Sequence, residues 1–275
     1  MNENKVVLIT GASSGIGKEC AGYLAGKNYK VYGTSRNPDK NKTSAFDKNF
    51  FIVKMDVTND SSVKECIEYI IQKESKIDIL INNAGIGIAA SVEKTLIDEY
   101  KNIFETNFYG CIRTIQNILP YMREKKYGLI INMSSMLGVF TIPFQGGYCA
   151  SKFALEGLSE CLSMELNPFG IKVVLIEPGD IKSDFNINRI KPEINQLETC
   201  YKDNYERALK VFIEEEEKGL CSGEVAKLVH KIIMNPNPKL RYSVGHFMQK
   251  MGLTLKQILP NRRFEKMFLG FYNQK

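Results

Sequence analysis

A chain of 275 residues, 44% hydrophobic and 25% charged, has the composition of an ordinary globule with one sizeable core, and two independent domains would be cramped in it. Its seven cysteines are scattered, odd in number and free of any CxxC pair, which argues for free thiols in a reducing compartment; His230 and His246 lack companion ligands, so no metal site is expected. The net charge of +6 is uneven, with eight Lys or Arg and one acid in residues 239–275 against 29 basic and 30 acidic residues before them. A neutral body with a basic tail lacks the broad basic face or recognisable module of a nucleic-acid binder. No apolar run reaches the ~18 residues of a membrane span, and "KVVLIT" is too short for a signal-peptide core, so the expected location is the cytoplasm.

Along the chain, short β-branched runs alternate with amphipathic stretches. "KVVLIT" (5–10), "KVYGTS" (30–35), "FFIVKM" (50–55), "DILI" (78–81), "GLIINM" (128–133) and "KVVLIE" (172–177) read as strands covered on both faces. Helical patterns fall at 15–27, 60–73, 95–123 and 148–166. This alternation predicts a doubly wound parallel α/β sheet, with ligands outside the carboxyl ends of its strands. Residues 181–222 are a long charged insertion, of the kind that forms a lid or substrate-binding loop, before a helix at 223–235. "LRYSV" (240–244) offers a last strand, followed by the basic, Phe- and Met-rich extension 239–275.

The first strand runs into "TGASSGIG" (10–17), whose Gly11, Gly15 and Gly17 permit a tight turn and leave helix-start amides facing an anionic pyrophosphate. A glycine-rich turn can also be purely structural, and the spacing is G-x3-G-x-G. At the end of the second strand Ser35 and Arg36 stand where an acid would accept from a bare ribose. A guanidinium there suits a 2′-phosphate, with Ser13 as a supplementary hydroxyl, unless Arg36 is simply a surface side chain. After the third strand, Asp56 can accept from an adenine amino group beside the Val57 amide. After the fourth, Asn82 and Asn83 can pin a turn, while Gly85 lets the backbone approach a ribose. In "YCASK", Tyr148 and Lys152 lie one helical turn apart and project from one face.

Together "TGASSGIG", "NNAG", "INMSS", "YCASK" and "EPGDIKS" resemble the short-chain dehydrogenase/reductase family across residues 5–183. "PFQGGYCASKFALEGLSECLSMEL" and the tail resemble its 17β-hydroxysteroid dehydrogenase-like branch. The resemblance implies a single-domain Rossmann fold and a catalytic set of Asn107, Ser135, Tyr148 and Lys152, with Ser134 the competing serine. Lys152, helped by the oxidised nicotinamide, would lower the Tyr148 pKa and would also hold the nicotinamide ribose, Ser135 would orient the substrate oxygen, and Asn107 would anchor a water relay. It further implies that NADP(H), preferred over NAD(H), contacts Gly11, Ser13, Ser14, Gly15, Ile16, Gly17, Ser35, Arg36, Asp56, Val57, Asn83, Ala84, Gly85, Tyr148, Lys152, Pro178, Gly179, Ile181 and Ser183. Ser183 replaces the family's threonine.

Met136, Leu137, Phe140, Ile142, Phe144 and Phe185 are the candidate substrate residues, unless they simply pack the core. The expected reaction interconverts a hydrophobic ketone or aldehyde, of hydroxysteroid or retinol type, with its alcohol. A 3-oxoacyl thioester reductase and a non-catalytic NADP sensor or scaffold are the alternatives. The tail can be a lid, a dimer contact or a helix on an anionic membrane surface. The apolar arc of Ala154, Leu155, Leu158, Cys161 and Leu162 implies, by the resemblance, a homodimer or homotetramer.

Overall fold

In the computed structural model, which describes residues 5–38, 48–183, 189–190, 199–272 and 274, seven parallel strands form the central sheet. They are β1 (Val6–Ile9), β2 (Lys30–Ser35), β3 (Phe50–Lys54), β4 (Ile79–Asn82), β5 (Gly128–Met133), β6 (Ile171–Pro178) and β9 (Arg241–Val244), in the order β3-β2-β1-β4-β5-β6-β9. Two short strands, β7 (Ile181–Lys182) and β8 (Leu220–Cys221), pair separately.

Successive strand residues point to opposite faces, so the apolar runs feed two cores. Val7, Ile9, Ile79 and Ile131 face α1 (Gly15–Ala25) and α7 (Ser222–Ile233). Val6, Leu8, Leu80 and Ile130 face α2 (Asp60–Glu74), α4 (Gly110–Lys125) and α5 (Gly146–Leu166). Helix α2 begins where the Asn59 side chain accepts from the Ser62 amide at 2.9 Å, with Asp60 in its first turn and Lys73 in its last.

The long helix expected over 95–123 is divided. Helix α3 (Ile97–Phe104) passes through a π-helical turn, Glu105–Tyr109, into α4. That turn holds Asn107, and such bulges re-aim a side chain without ending the helix. All seven cysteines are free thiols. Among the described residues no helix is long and apolar enough to cross a membrane.

The insertion contains α6 (Thr199–Lys218), and the tail forms α8 (Phe247–Ile258) and α9 (Asn261–Phe271). Phe264 and Phe268 turn inward from α9 onto Phe140, with ring centroids 6.0 and 5.2 Å away. Tyr272 packs on Phe212 of α6 at 5.2 Å. The tail is therefore a roof joined to the insertion by aromatic contacts.

Candidate active site

Strand β1 lies between β2 and β4, where the strand order reverses and the loops at the carboxyl ends diverge into a crevice. Thr10 ties the two loops together. Its hydroxyl accepts from the amides of Asn83 and Ala84, each at 2.9 Å, while Asn83 Nδ2 donates to the carbonyls of Thr10 and Gly11 at 2.9 and 3.0 Å. Gly11 adopts φ 64°, and a Cβ there would meet Ala84 Cα at 2.9 Å. Gly17 packs beneath this turn against Asn83 rather than on the crevice wall. Asn82 is turned away from the role expected of it. It donates to Asn132 Oδ1 at 2.9 Å and accepts from Thr114 at 2.7 Å, bracing β4 against β5 and α4.

Helix α1 starts at Gly15 with no side-chain cap at Ser14 and no acid in its first turn. Its leading amides face the crevice, as a site for a diphosphate requires. Ser13, Ser14, Gly15, Ile16, Ser35, Arg36, Asp56, Val57, Ala84 and Gly85 line the same wall. Arg36 is exposed and has no ion pair among the described residues. Asp56 Oδ1 accepts from the Thr58 amide and hydroxyl at 2.9 and 2.8 Å. Pro178, Gly179, Ile181 and Ser183 close the far side. These residues fit a nicotinamide dinucleotide: a bare helix start for the diphosphate, a carboxylate for the adenine and a cation at the ribose end.

Ser135, Tyr148 and Lys152 converge on the crevice from the end of β5 and the start of α5. Ser135 Oγ accepts from the Leu137 amide at 3.1 Å, lies 3.4 Å from the Pro178 carbonyl and shares a hydrogen bond with Tyr148. Ser134 Oγ packs instead at Gly138, where a Cβ would come within 2.9 Å of it, and has no hydrogen-bond partner among the described residues. Both serines line the cavity, and they differ in their hydrogen bonding. Asn107, fully buried off the crevice wall, accepts from the Ile86 amide at 2.8 Å and donates to Ile86 O and Ser151 Oγ.

The protein's own side chains do not by themselves lower the Tyr148 pKa. Lys152 Nζ donates to Met133 O at 2.7 Å and lies 5.7 Å from the Tyr148 ring centroid. Burial pushes Tyr148 up to about 12, against the opposing Ser135 hydrogen bond and Arg189 charge. Burial likewise pulls Lys152 below the usual lysine range.

One cavity of about 820 Å³ runs from the glycine turn past Tyr148 to the C-terminal helices. Of the expected substrate residues, Met136, Leu137, Phe140 and Ile142 line it. Phe144 does not. At φ 59° its backbone reverses, and its ring packs edge-on against Tyr205 at 5.5 Å. Phe185 lies outside the described residues.

An acidic wall went unread in the sequence: Asp180, Glu215 and Glu216 line the cavity, with Arg189 paired to Glu216. Burial, with the Glu216 and Glu215 charges, pushes the Asp180 carboxyl up to about 6. The acidic run "EEEEK" belongs to the charged insertion, but the turn of α6 that aims two of these acids inward has no local signature.

Behind the site, Arg241 is shared by Glu156, Glu160 and Glu177 at 2.9, 2.5 and 3.5 Å. One oxygen each of Glu156 and Glu177 is buried without a hydrogen bond among the described residues. Burial and the Glu156 charge push Glu177 up to about 7 from its usual 4.5. The folded protein therefore holds a proton that the unfolded chain has released. This contribution, on the order of 2 kcal/mol once discounted for solvent screening, is complete below the usual carboxylate range and lost as pH rises through about 7. Glu177→Gln is accordingly expected to raise the thermal midpoint by about 4 °C at pH 8 and by little at pH 5. Equal shifts at both pH values would exclude the titration.

A parallel sheet with an amide-lined turn at its switch point, and a buried serine, tyrosine and lysine facing that turn, defines a Rossmann-fold oxidoreductase. A family model described as short chain dehydrogenase matches residues 5–193, and the chain belongs to that family. It is 41% identical to a 3-ketodihydrosphingosine reductase of Bacteroides thetaiotaomicron over 268 residues, 98% of each chain. It is 33% identical to retinol dehydrogenase 8 of Bos taurus, covering 86% of this chain and 80% of that one. A solved short-chain dehydrogenase from Streptomyces avermitilis superposes with a TM-score of 0.85 at 26% identity, covering 99% and 98% of the two chains. ElxO with NADP bound gives 0.73 at 28% identity, covering 88% and 97%.

Proposed function

We propose that the protein is an NADPH-dependent reductase of a long-chain ketone carrying an amino group near the carbonyl, as 3-ketodihydrosphingosine does. The observation that carries this reading is the cavity itself. One end holds Ser135 and Tyr148, the roof is apolar, and a wall carries Asp180, which accepts from Gln249; Glu215, paired at its outer side with Lys218; and Glu216, paired with Arg189. An alkyl chain suits the roof of Phe140, Leu255 and Phe268, and an ammonium suits the carboxylates. The same carboxylates oppose the phosphate of a carrier-bound 3-oxoacyl thioester, which disfavours that alternative. The relative named as a 3-ketodihydrosphingosine reductase supports the substrate class, and the NADP-bound relative supports the cofactor.

The bound nicotinamide supplies the hydride. The first turn of α1 would hold its diphosphate, Arg36 and Ser35 its 2′-phosphate, and Asp56 with Val57 its adenine. Asn83–Gly85, Lys152 and the 178–183 turn would enclose the nicotinamide end. Tyr148, neutral because it is buried, retains a proton at pH 7 and donates it to the carbonyl oxygen. Ser135, braced by the Leu137 amide, hydrogen-bonds the same oxygen and orients it. Asn107 holds the Ile86 backbone and Ser151 beneath Tyr148 and thereby positions the catalytic helix.

The test is NADPH consumption with 3-ketodihydrosphingosine, its N-acetyl derivative, a ketosteroid, retinal and an acetoacetyl thioester. The free-amine ketone is expected to have the highest kcat/KM, with at least about a tenfold loss on acetylation, the equivalent of one charge-assisted contact. Equal or faster turnover of the acetylated ketone or the thioester overturns the reading.

A further inference from the structure

Six of the eighteen large apolar side chains that stand exposed among the described residues fall within residues 247–271: Phe247, Met248, Ile258, Met267, Leu269 and Phe271. Single exposed apolar residues are ordinary; this concentration on two adjacent helices is not. Helical spacing accounts for its form. On α8, Phe247, Met251 and Ile258 are separated by four and seven residues and share one face, with Met248 and Leu255 beside them. Met248, Met251 and Leu255 line the cavity, whereas Phe247 and Ile258, 78% and 70% exposed, lie outside it. On α9, Met267 and Phe271 line the cavity while remaining 40% and 52% exposed. The apolar outer surface is thus continuous with the cavity lining across its rim.

The roof packing is already satisfied by the inward residues Phe264, Phe268 and Tyr272, so closing the cavity does not consume the outward ones. Cations flank the apolar strip. Lys250, Arg262, Arg263 and Lys266 are exposed, within a tail of net charge +7 on a body of net −1. An apolar strip bordered by lysine and arginine is complementary to a surface that is anionic outside and hydrocarbon within.

We propose that the outer face of α8 and α9 docks on an anionic lipid bilayer, with the cavity rim against it, so that a long-chain ketone enters from the membrane without crossing water. The entry route rests on the long-chain reading of the cavity; the docking rests on the exposed face and its charge. Docking is peripheral. The apolar side chains reach the acyl boundary, the cations meet the headgroups, and among the described residues no helix is long and apolar enough to span the bilayer.

The test is co-sedimentation of the full chain with phosphatidylcholine vesicles, with and without about one-third phosphatidylglycerol, in low and high salt. The variant pair Phe247→Glu with Ile258→Glu runs alongside, its folding checked by circular dichroism and thermal midpoint, and the solution mass is measured for both. Pelleting is expected only with the anionic vesicles at low salt, with at least about a fivefold loss in high salt and in the double variant. The variant should keep its turnover of a short water-soluble ketone while losing turnover of the long-chain ketone embedded in vesicles.

Equal pelleting of variant and parent, or pelleting indifferent to anionic lipid, overturns the docking. So does a parent that ignores vesicles but forms a multimer which the double variant dissociates, since the face is then a contact between copies. A parent that reduces detergent-dispersed ketone yet ignores vesicles refutes the docking and leaves the proposed function standing. A parent that binds vesicles and reduces no long-chain ketone refutes the function and the entry route, while the docking stands.

Discussion

Tyr148→Phe lowers kcat for ketone reduction by about a thousandfold and leaves cofactor binding and the thermal midpoint nearly unchanged. Phenylalanine keeps the ring, which packs with Ile88, Ala90 and Ile103, and removes only the hydroxyl that bonds to Ser135. The structural loss is one hydrogen bond, about 1 kcal/mol. The catalytic loss is the proton donor itself, and a positioned general acid contributes roughly a hundred- to ten-thousandfold. Because burial holds the Tyr148 pKa near 12, its hydroxyl is protonated throughout the neutral range. Ketone reduction should therefore show no break from this group between pH 6 and about 9. Steady-state rates, with cofactor affinity from fluorescence titration, decide the matter. A variant that still turns over within tenfold of the parent removes Tyr148 from the proton transfer, and a parent with no turnover of any carbonyl favours the sensor reading.

The second large effect is expected at Arg36. Its guanidinium is exposed on the crevice wall, carries no ion pair among the described residues and follows Ser35, whose hydroxyl accepts from the Asn37 amide at 3.2 Å. Charge-assisted hydrogen bonds to a 2′-phosphate are worth about 1.5–3 kcal/mol, roughly ten- to a hundredfold in affinity. Arg36→Ala should raise KM for NADPH by that factor, leave KM for NADH unchanged and alter kcat little. Parallel losses with both cofactors would assign Arg36 a structural role, and a parent that uses both equally would reject the NADPH preference.

The parts of the site legible in the sequence are those governed by local geometry. Tyr148 and Lys152 share a face because four residues make about one helical turn, and that holds wherever the helix packs. The glycine turn between β1 and α1 could be read because positive φ at Gly11 and Gly15 is open to few other residues. The doubly covered strands were legible because Val6–Ile9 and its counterparts lack polar alternation.

What the tertiary structure alone decided depends on neighbours distant in the chain. The family spacing to Tyr148 already favours Ser135 over Ser134, but what each hydroxyl meets, the Leu137 amide and the Pro178 carbonyl for one and the space at Gly138 for the other, is set by packing. The spacing of Tyr148 and Lys152 is local, but that Met133 O takes the ammonium and burial dominates the phenol is set by packing. Phe144 leaves the cavity through a backbone reversal that a phenylalanine does not announce. The acids of α6 and Asp180 meet at one wall through packing across more than thirty positions, and the tail becomes a roof because Phe264 and Phe268 find Phe140. Periodicity specifies which face a side chain occupies; only the packed fold specifies what that face meets.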